Sequence, residues 1–220
     1  MSLRLAQFLA ATLVATSLAA PARTDQRVAL AVGNPASRNI TRLGNPASDL
    51  KRIEDTTRTP RPHASSEKCA TLKGQTGTDF YCASSVRAPQ FGNSYGVDNL
   101  FSNKTGEAWV EGKPGQGVGE WVTIDFDELR LVKAVIVRNG YQKNSDIFSK
   151  NSRVRRLRLL FSQGETQALT LGDNMELQTI ALDPPVSAYW VQFIIDDVYP
   201  GSAYSDTAIS KLFVTADPPR

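Results

Sequence analysis

Residues 109–121 read Trp109-Val110-Glu111-Gly112-Lys113-Pro114-Gly115-Gln116-Gly117-Val118-Gly119-Glu120-Trp121, four glycines and a proline set between two tryptophans. A run this rich in glycine either bends sharply or lets another group approach its backbone. Directly after it, Val122, Ile124 and Phe126 alternate with Trp121, Thr123 and Asp125, the period-two pattern of a half-buried strand. The loop therefore feeds a strand and opens no helix. That order excludes a dinucleotide fingerprint, which opens a helix after a strand. It also excludes a phosphate loop, which closes with Gly-Lys-Ser/Thr, because here Pro114 follows Lys113.

Working outward, the same strand texture recurs at 83–87, 131–139, 153–162, 167–171, 177–182, 188–198 and 207–214. Turn residues separate these segments: Asp127-Glu128, Asn139-Gly140, Ser162-Gln163-Gly164, Gly172-Asp173-Asn174 and Asp183-Pro184-Pro185. In the segment from Arg153, the positions Arg155, Leu157, Leu159 and Phe161 share one face, with Arg156 and Arg158 on the other. From Ala188, the face is Tyr189, Val191, Phe193 and Ile195. Many short strands with a single helical turn, at 97–101, predict an all-β sandwich.

The 220 residues have room for one such domain and extensions. Residues 1–22 combine a short basic start with an apolar run and small-residue exits after Ala19 and Ala22, the pattern of a secretory signal peptide. The expected location is therefore secreted or periplasmic. Residues 23–66 lack aromatics, repeat Gly-Asn-Pro-Ala-Ser at 33–37 and 44–48, and read as a disordered basic linker. The folded domain is expected over 67–216, with 217–220 as a tail.

The overall charge of +3 is misleading until it is divided. Residues 23–62 carry eight Lys/Arg against four acids, whereas residues 63–220 carry 16 against 18, a net −2. The folded part lacks the concentrated positive face that nucleic acid requires. Its loops also lack a cluster of apolar spikes, which disfavours a membrane surface. In an oxidising compartment, Cys69 and Cys82, which bracket a short polar loop, are expected to form a disulfide. Two cysteines and one histidine make no structural zinc set, and neither a metal nor a cofactor is expected.

Seven motifs follow in order: Asn99-Leu100, Ala108-Trp109-Val110-Glu111-Gly112, the glycine-rich run through Trp121, Asn139-Gly140-Tyr141-x-Lys143, Lys150-Asn151-x-Arg153-Val154, Val198-Tyr199-x-Gly201, and Tyr204-x-Asp206-Thr207-Ala208-Ile209-Ser210. Over residues 83–214 this order resembles the discoidin-like, factor V/VIII C-type domain of the branch associated with NAD glycohydrolases. The resemblance implies a jelly-roll β-sandwich that is not an enzyme and that binds glycan through loops at one end. A protein-interaction or adaptor role for the same loops is the alternative.

Sugar binding needs an aromatic face under the ring and planar hydrogen-bonding groups around its hydroxyls. Tyr141, Tyr199 and Tyr204 are candidates for the first task. Glu111, Asn139, Asn151, Arg153 and Asp206 are candidates for the second. Gly115, Gly117 and Gly119 are expected to fold tightly beneath Trp109 and keep Glu111 near Tyr141 and Arg153. Related domains often hold calcium at the rim, with an Asp after the Asn-Leu-Phe segment and a Glu near the end. Here Ser102-Asn103 and Lys211 occupy those places, and a lysine ammonium repels the ion. Lys211 is expected to donate to the oxygens that calcium would have used.

Overall fold

The computed structural model describes residues 68–217 apart from 75, 76, 103 and 105, so the signal-peptide and linker expectations fall outside the described residues. Eight strands follow in order: β1 (Cys69–Lys73), β2 (Thr78–Ala83), β3 (Trp109–Val110), β4 (Trp121–Asn139), β5 (Ser152–Phe161), β6 (Thr166–Thr170), β7 (Leu177–Tyr199) and β8 (Thr207–Asp217). A 3-10 turn (Val97–Leu100) and one short helix, α1 (Ser145–Lys150), interrupt them. Hydrogen bonding runs β1-β2-β4-β7-β5-β8-β3, with β6 on β5 and a further pairing of β4 with β8.

Two long strands turn this path into a sandwich. In β4, Trp121–Asp125 pairs with Ile194–Trp190 of β7, whereas Arg130–Arg138 pairs with Ala188–Leu177 of β7 and also with β8. The register breaks between Asp125 and Arg130, and again between Val132 and Ala134, so β4 bends from one layer into the other without ending. Sequence reading divides β4 and β7 in two at their turn residues; the chain instead keeps pairing through those corners. At the first corner Arg130 Nη1 bonds Asp79 Oδ1 and Nη2 bonds Asp127 Oδ1, both at 2.8 Å, which ties the β1–β2 hairpin to the bend.

The core collects the inward faces of both layers: Val122, Ile124, Phe126, Val135, Val137, Leu157, Leu159, Phe161, Val191, Phe193 and Ile195 are all buried. Thr123 and Asp125 are buried too, so this part of β4 is more covered than simple alternation suggests. In β5 the register shifts between Val154 and Leu157, which leaves Arg155 and Arg156 both exposed and brings Val154 into the core. The expected sharing of one face by Arg155 and Leu157 is corrected by that bulge.

Cys69 lies opposite Cys82 in the β1–β2 ladder, and the two form the expected disulfide. The intervening residues build a hairpin rather than a plain loop.

Candidate functional site

One end of the sandwich carries a cleft of about 200 Å³, built from four segments. The first is the stretch after β2, which leaves the sheet at Ser84. It is pinned back onto β3 where Arg87 N donates to Val110 O (2.9 Å) and Val110 N donates to Tyr95 O (3.3 Å). The second is β3 itself, which contributes Val110. The third runs from Tyr141 through α1, whose start is capped by Asn144 Oδ1 accepting from Ile147 N at 2.8 Å. The fourth is the 200–206 loop leading into β8, held to α1 by Tyr204 N donating to Lys150 O at 2.8 Å.

Tyr95, Val110 and Tyr141 are buried and form an apolar floor with Ala108 and Ala208. The two tyrosine rings meet edge to face, centroids 6.2 Å apart at 86°. Burial, with Tyr95 and Glu107 nearby, pushes the Tyr141 hydroxyl above its ordinary pKa, so it stays protonated as a donor. Around this floor stand polar groups. Arg87 Nη1 pairs with Asp206 Oδ1, and Lys143 Nζ donates to Asn93 Oδ1 at 3.2 Å. Asn151 turns its Nδ2 to Ile147 O (2.9 Å) and lines the wall beside Ile147. Tyr204, half exposed, stands at the mouth. Asp206 is the one carboxylate among the lining residues.

Of the eight residues singled out in the sequence, the cleft brings together Tyr141, Asn151, Tyr204 and Asp206. The other four are occupied inside the fold. Asn139 is fully buried and braces β4 against β5, its Nδ2 donating to Val154 O (2.6 Å) and its Oδ1 accepting from Val154 N (3.0 Å). Arg153 is buried with its guanidinium forked onto Asp173, stacked over Phe148, and bonded through Nη1 to Asn151 O and Pro200 O. Tyr199 donates its hydroxyl to Leu171 O at 2.9 Å. Glu111 is fully buried, with Oε2 accepting from Lys113 N (2.7 Å) and Oε1 from Thr207 N (3.3 Å). Burial raises its pKa against the pull of those two donors.

The glycine-rich loop does fold tightly, but over Glu111. Gly117 has φ +67°, and a Cβ there would lie 2.5 Å from Glu111 Cγ. Trp109 is fully buried and donates Nε1 to Ser85 O at 3.0 Å. Sequence reading missed Arg87, Gln90, Phe91, Asn93, Tyr95 and Lys143, all of which line the cleft. Lys211 Nζ lies over the Phe213 ring, 5.6 Å from its centroid, and Asn103, at the place where related domains carry the calcium Asp, falls outside the described residues. Among the described residues no group of three or more His, Cys, Asp or Glu is placed to hold a metal ion.

Residues 72–215 match the family model of the NAD glycohydrolase translocation F5/8 type C domain. The chain belongs to this family. Several solved structures, an F5/8 type C domain among them, are similar to the chain. One is such a domain from Bacteroides fragilis, 12% identical, covering 70% of this chain and 99% of that one with a TM-score of 0.47. Another is the family 32 carbohydrate-binding module from C. perfringens NanJ in complex with galactose, 12% identical, covering 63% of this chain and 93% of that one with a TM-score of 0.46. A third is the arabinofuranosyltransferase AftD from Mycobacteria, 17% identical with a TM-score of 0.49, of which the match spans 13% while covering 69% of this F5/8 type C chain. No curated protein matches the chain. Among the described residues, no helix is long and apolar enough to cross a membrane.

Proposed function

We propose that this domain is a non-catalytic carbohydrate-binding module and that one sugar ring sits in the cleft over Tyr95 and Tyr141. The observation that carries the reading is the pairing of that aromatic floor with planar, fixed polar groups in a space of about 200 Å³. The apolar C–H face of a pyranose rests on the rings, and the Arg87–Asp206 pair, Asn93, Lys143 and the Tyr141 hydroxyl meet its hydroxyls. The size is below the ~300 Å³ at which ordinary small-molecule pockets begin, which suits one ring. Hydrolysis of a glycosidic bond uses two carboxylates facing it, and the single carboxylate of this lining favours binding without chemistry. The module works outside the cytoplasm, delivered by the apolar N-terminal segment.

An array of immobilised glycans tests the reading. Saturable signal on one sugar class, lost in Asp206→Asn and reduced in Lys143→Ala with both variants folded, is expected. The family description, a translocation domain, favours a second reading in which the same cleft engages a protein partner. A silent array with a specific partner retained by wild type and lost by Asp206→Asn selects it.

A further inference from the structure

At the lip of the cleft Phe91 combines two unfavourable choices in one residue. Its side chain is 95% exposed, and its backbone has φ +51°, the left-handed region that side chains other than Asn, Asp and Gly seldom adopt. With Gly92 at φ +75°, Phe91 forms the two-residue tip of a tight hairpin turn. Gln90 N donates to Asn93 O (3.1 Å), and Asn93 N donates back to Gln90 O (2.9 Å). Asn93 Nδ2 also reaches Gln90 O at 3.1 Å, and Lys143 anchors Asn93 Oδ1 from the neighbouring loop. The tip is therefore held firmly while its ring touches almost nothing. Packing does not account for a phenylalanine here, since burial of the ring is what normally stabilises one. Turn chemistry does not either, since asparagine or glycine suits that position better. Strain of this kind, kept by a braced surround, marks places where a side chain is displayed for use.

We propose that Phe91 is an aromatic platform for a second saccharide unit, so that the domain prefers an oligosaccharide to a single sugar. This rests on the sugar-binding reading of the cleft. Phe91 lines the same cleft as Tyr95 and Tyr141, but where those two are buried in its floor, the Phe91 side chain is 95% exposed and carries the aromatic surface outward from it. A unit stacked on Phe91 must then be the neighbour of the one within. The half-exposed ring of Tyr204 at the same mouth extends the apolar lip.

The test uses the protein on an array of matched mono-, di- and trisaccharides of hexoses, N-acetylhexosamines and uronic acids, with wild type beside Phe91→Asn. Asparagine removes the ring and suits the turn, so the variant is expected to melt no lower than wild type, which keeps folding out of the result. Wild type should favour the disaccharide over the monosaccharide by roughly tenfold, the effect of one good aromatic contact. In Phe91→Asn that ratio should fall towards one. Equal binding of mono- and disaccharide by wild type, or a preference that survives in Phe91→Asn, overturns the platform while the cleft reading stands. A silent array, with vesicles of phosphatidylcholine and phosphatidylserine bound by wild type and released by Phe91→Asn, overturns both.

Discussion

Arg153 and Asp173 face each other in a forked pair, Nε to Oδ1 at 2.9 Å and Nη2 to Oδ2 at 2.7 Å, with the arginine stacked over Phe148. The pair joins the start of β5 to the 172–174 loop. Through Nη1 it also collects the carbonyls of Asn151 and Pro200 at 2.9 and 3.1 Å. Arg153 thus fixes where α1 and the 200–206 loop stand, and those two segments are walls of the cleft.

Removing it should be costly. Arg153→Ala leaves a carboxylate and two carbonyls without their donor, and a loss of about 3 kcal/mol is expected in urea unfolding. Arg153→Lys places a charge there but cannot fork, so its stability should fall between the two. A change below about 0.5 kcal/mol in Arg153→Ala would show that the pair is solvated and idle.

The glycines of the 112–119 loop should separate by position. Gly117→Ala meets Glu111 Cγ at 2.5 Å and Cδ at 2.8 Å in addition to adopting φ +67°, whereas Gly119, at φ +89°, has nothing within 4 Å of its added Cβ. Gly119→Ala should therefore cost about 1 kcal/mol from backbone strain alone. Gly117→Ala should cost at least about 2 kcal/mol because a buried carboxylate must also move. Thermal melts of the two variants check the order.

Much of this architecture is readable in the sequence, and the misses share a cause. The core faces of β4, β5 and β7 follow period two, so the sandwich emerges from Val122, Ile124, Phe126, Leu157, Leu159 and Phe193. The hairpin strand β2 does not, because Thr78-Asp79-Phe80-Tyr81 sits among glycines inside a cysteine bracket and reads as loop. Helix α1 is six residues long, too short to show a period, and its sign was Asn144 before Ser145. For the site, Asn139, Arg153 and Glu111 carry the groups a sugar needs, yet backbone amides and carbonyls need the same groups at loop ends. Sequence cannot say which partner such a side chain meets. Gly92-Asn93 is turn chemistry, but only the fold brings Phe91 into the same cleft as Tyr141.

The acid limb of stability should carry a signature of Asp127. Donation from Thr78 N, joined by Arg130, holds its carboxyl below the ordinary value of 3.8. A carboxyl depressed in the folded state stabilises above its unfolded pKa and loses that contribution as pH falls through the folded value. Melting temperatures of wild type and Asp127→Asn should therefore differ at pH 5 to 7, and the difference should shrink steadily as pH falls below the ordinary carboxyl value of 3.8. A difference that persists unchanged into strong acid would contradict the assignment.

Reduction should loosen the β1–β2 hairpin. The disulfide joins residues 13 apart in sequence, and closing a loop of that size is worth about 3 kcal/mol in the chain-entropy model. Urea midpoints with and without reductant measure it, with Cys69→Ser/Cys82→Ser expected to match the reduced protein.

The central claim is that sugar occupies the cleft between Arg87, Tyr95, Tyr141 and Asp206. Titration of the ¹⁵N-labelled protein with the strongest binder from the glycan array, followed by amide chemical shifts, tests it directly. Saturable shifts concentrated at Arg87, Asn93, Tyr95, Tyr141, Lys143 and Asp206, with the 113–119 loop and the outer face of β5 silent, are predicted. Shifts confined to that loop or that sheet face, with the cleft amides unmoved, would contradict it.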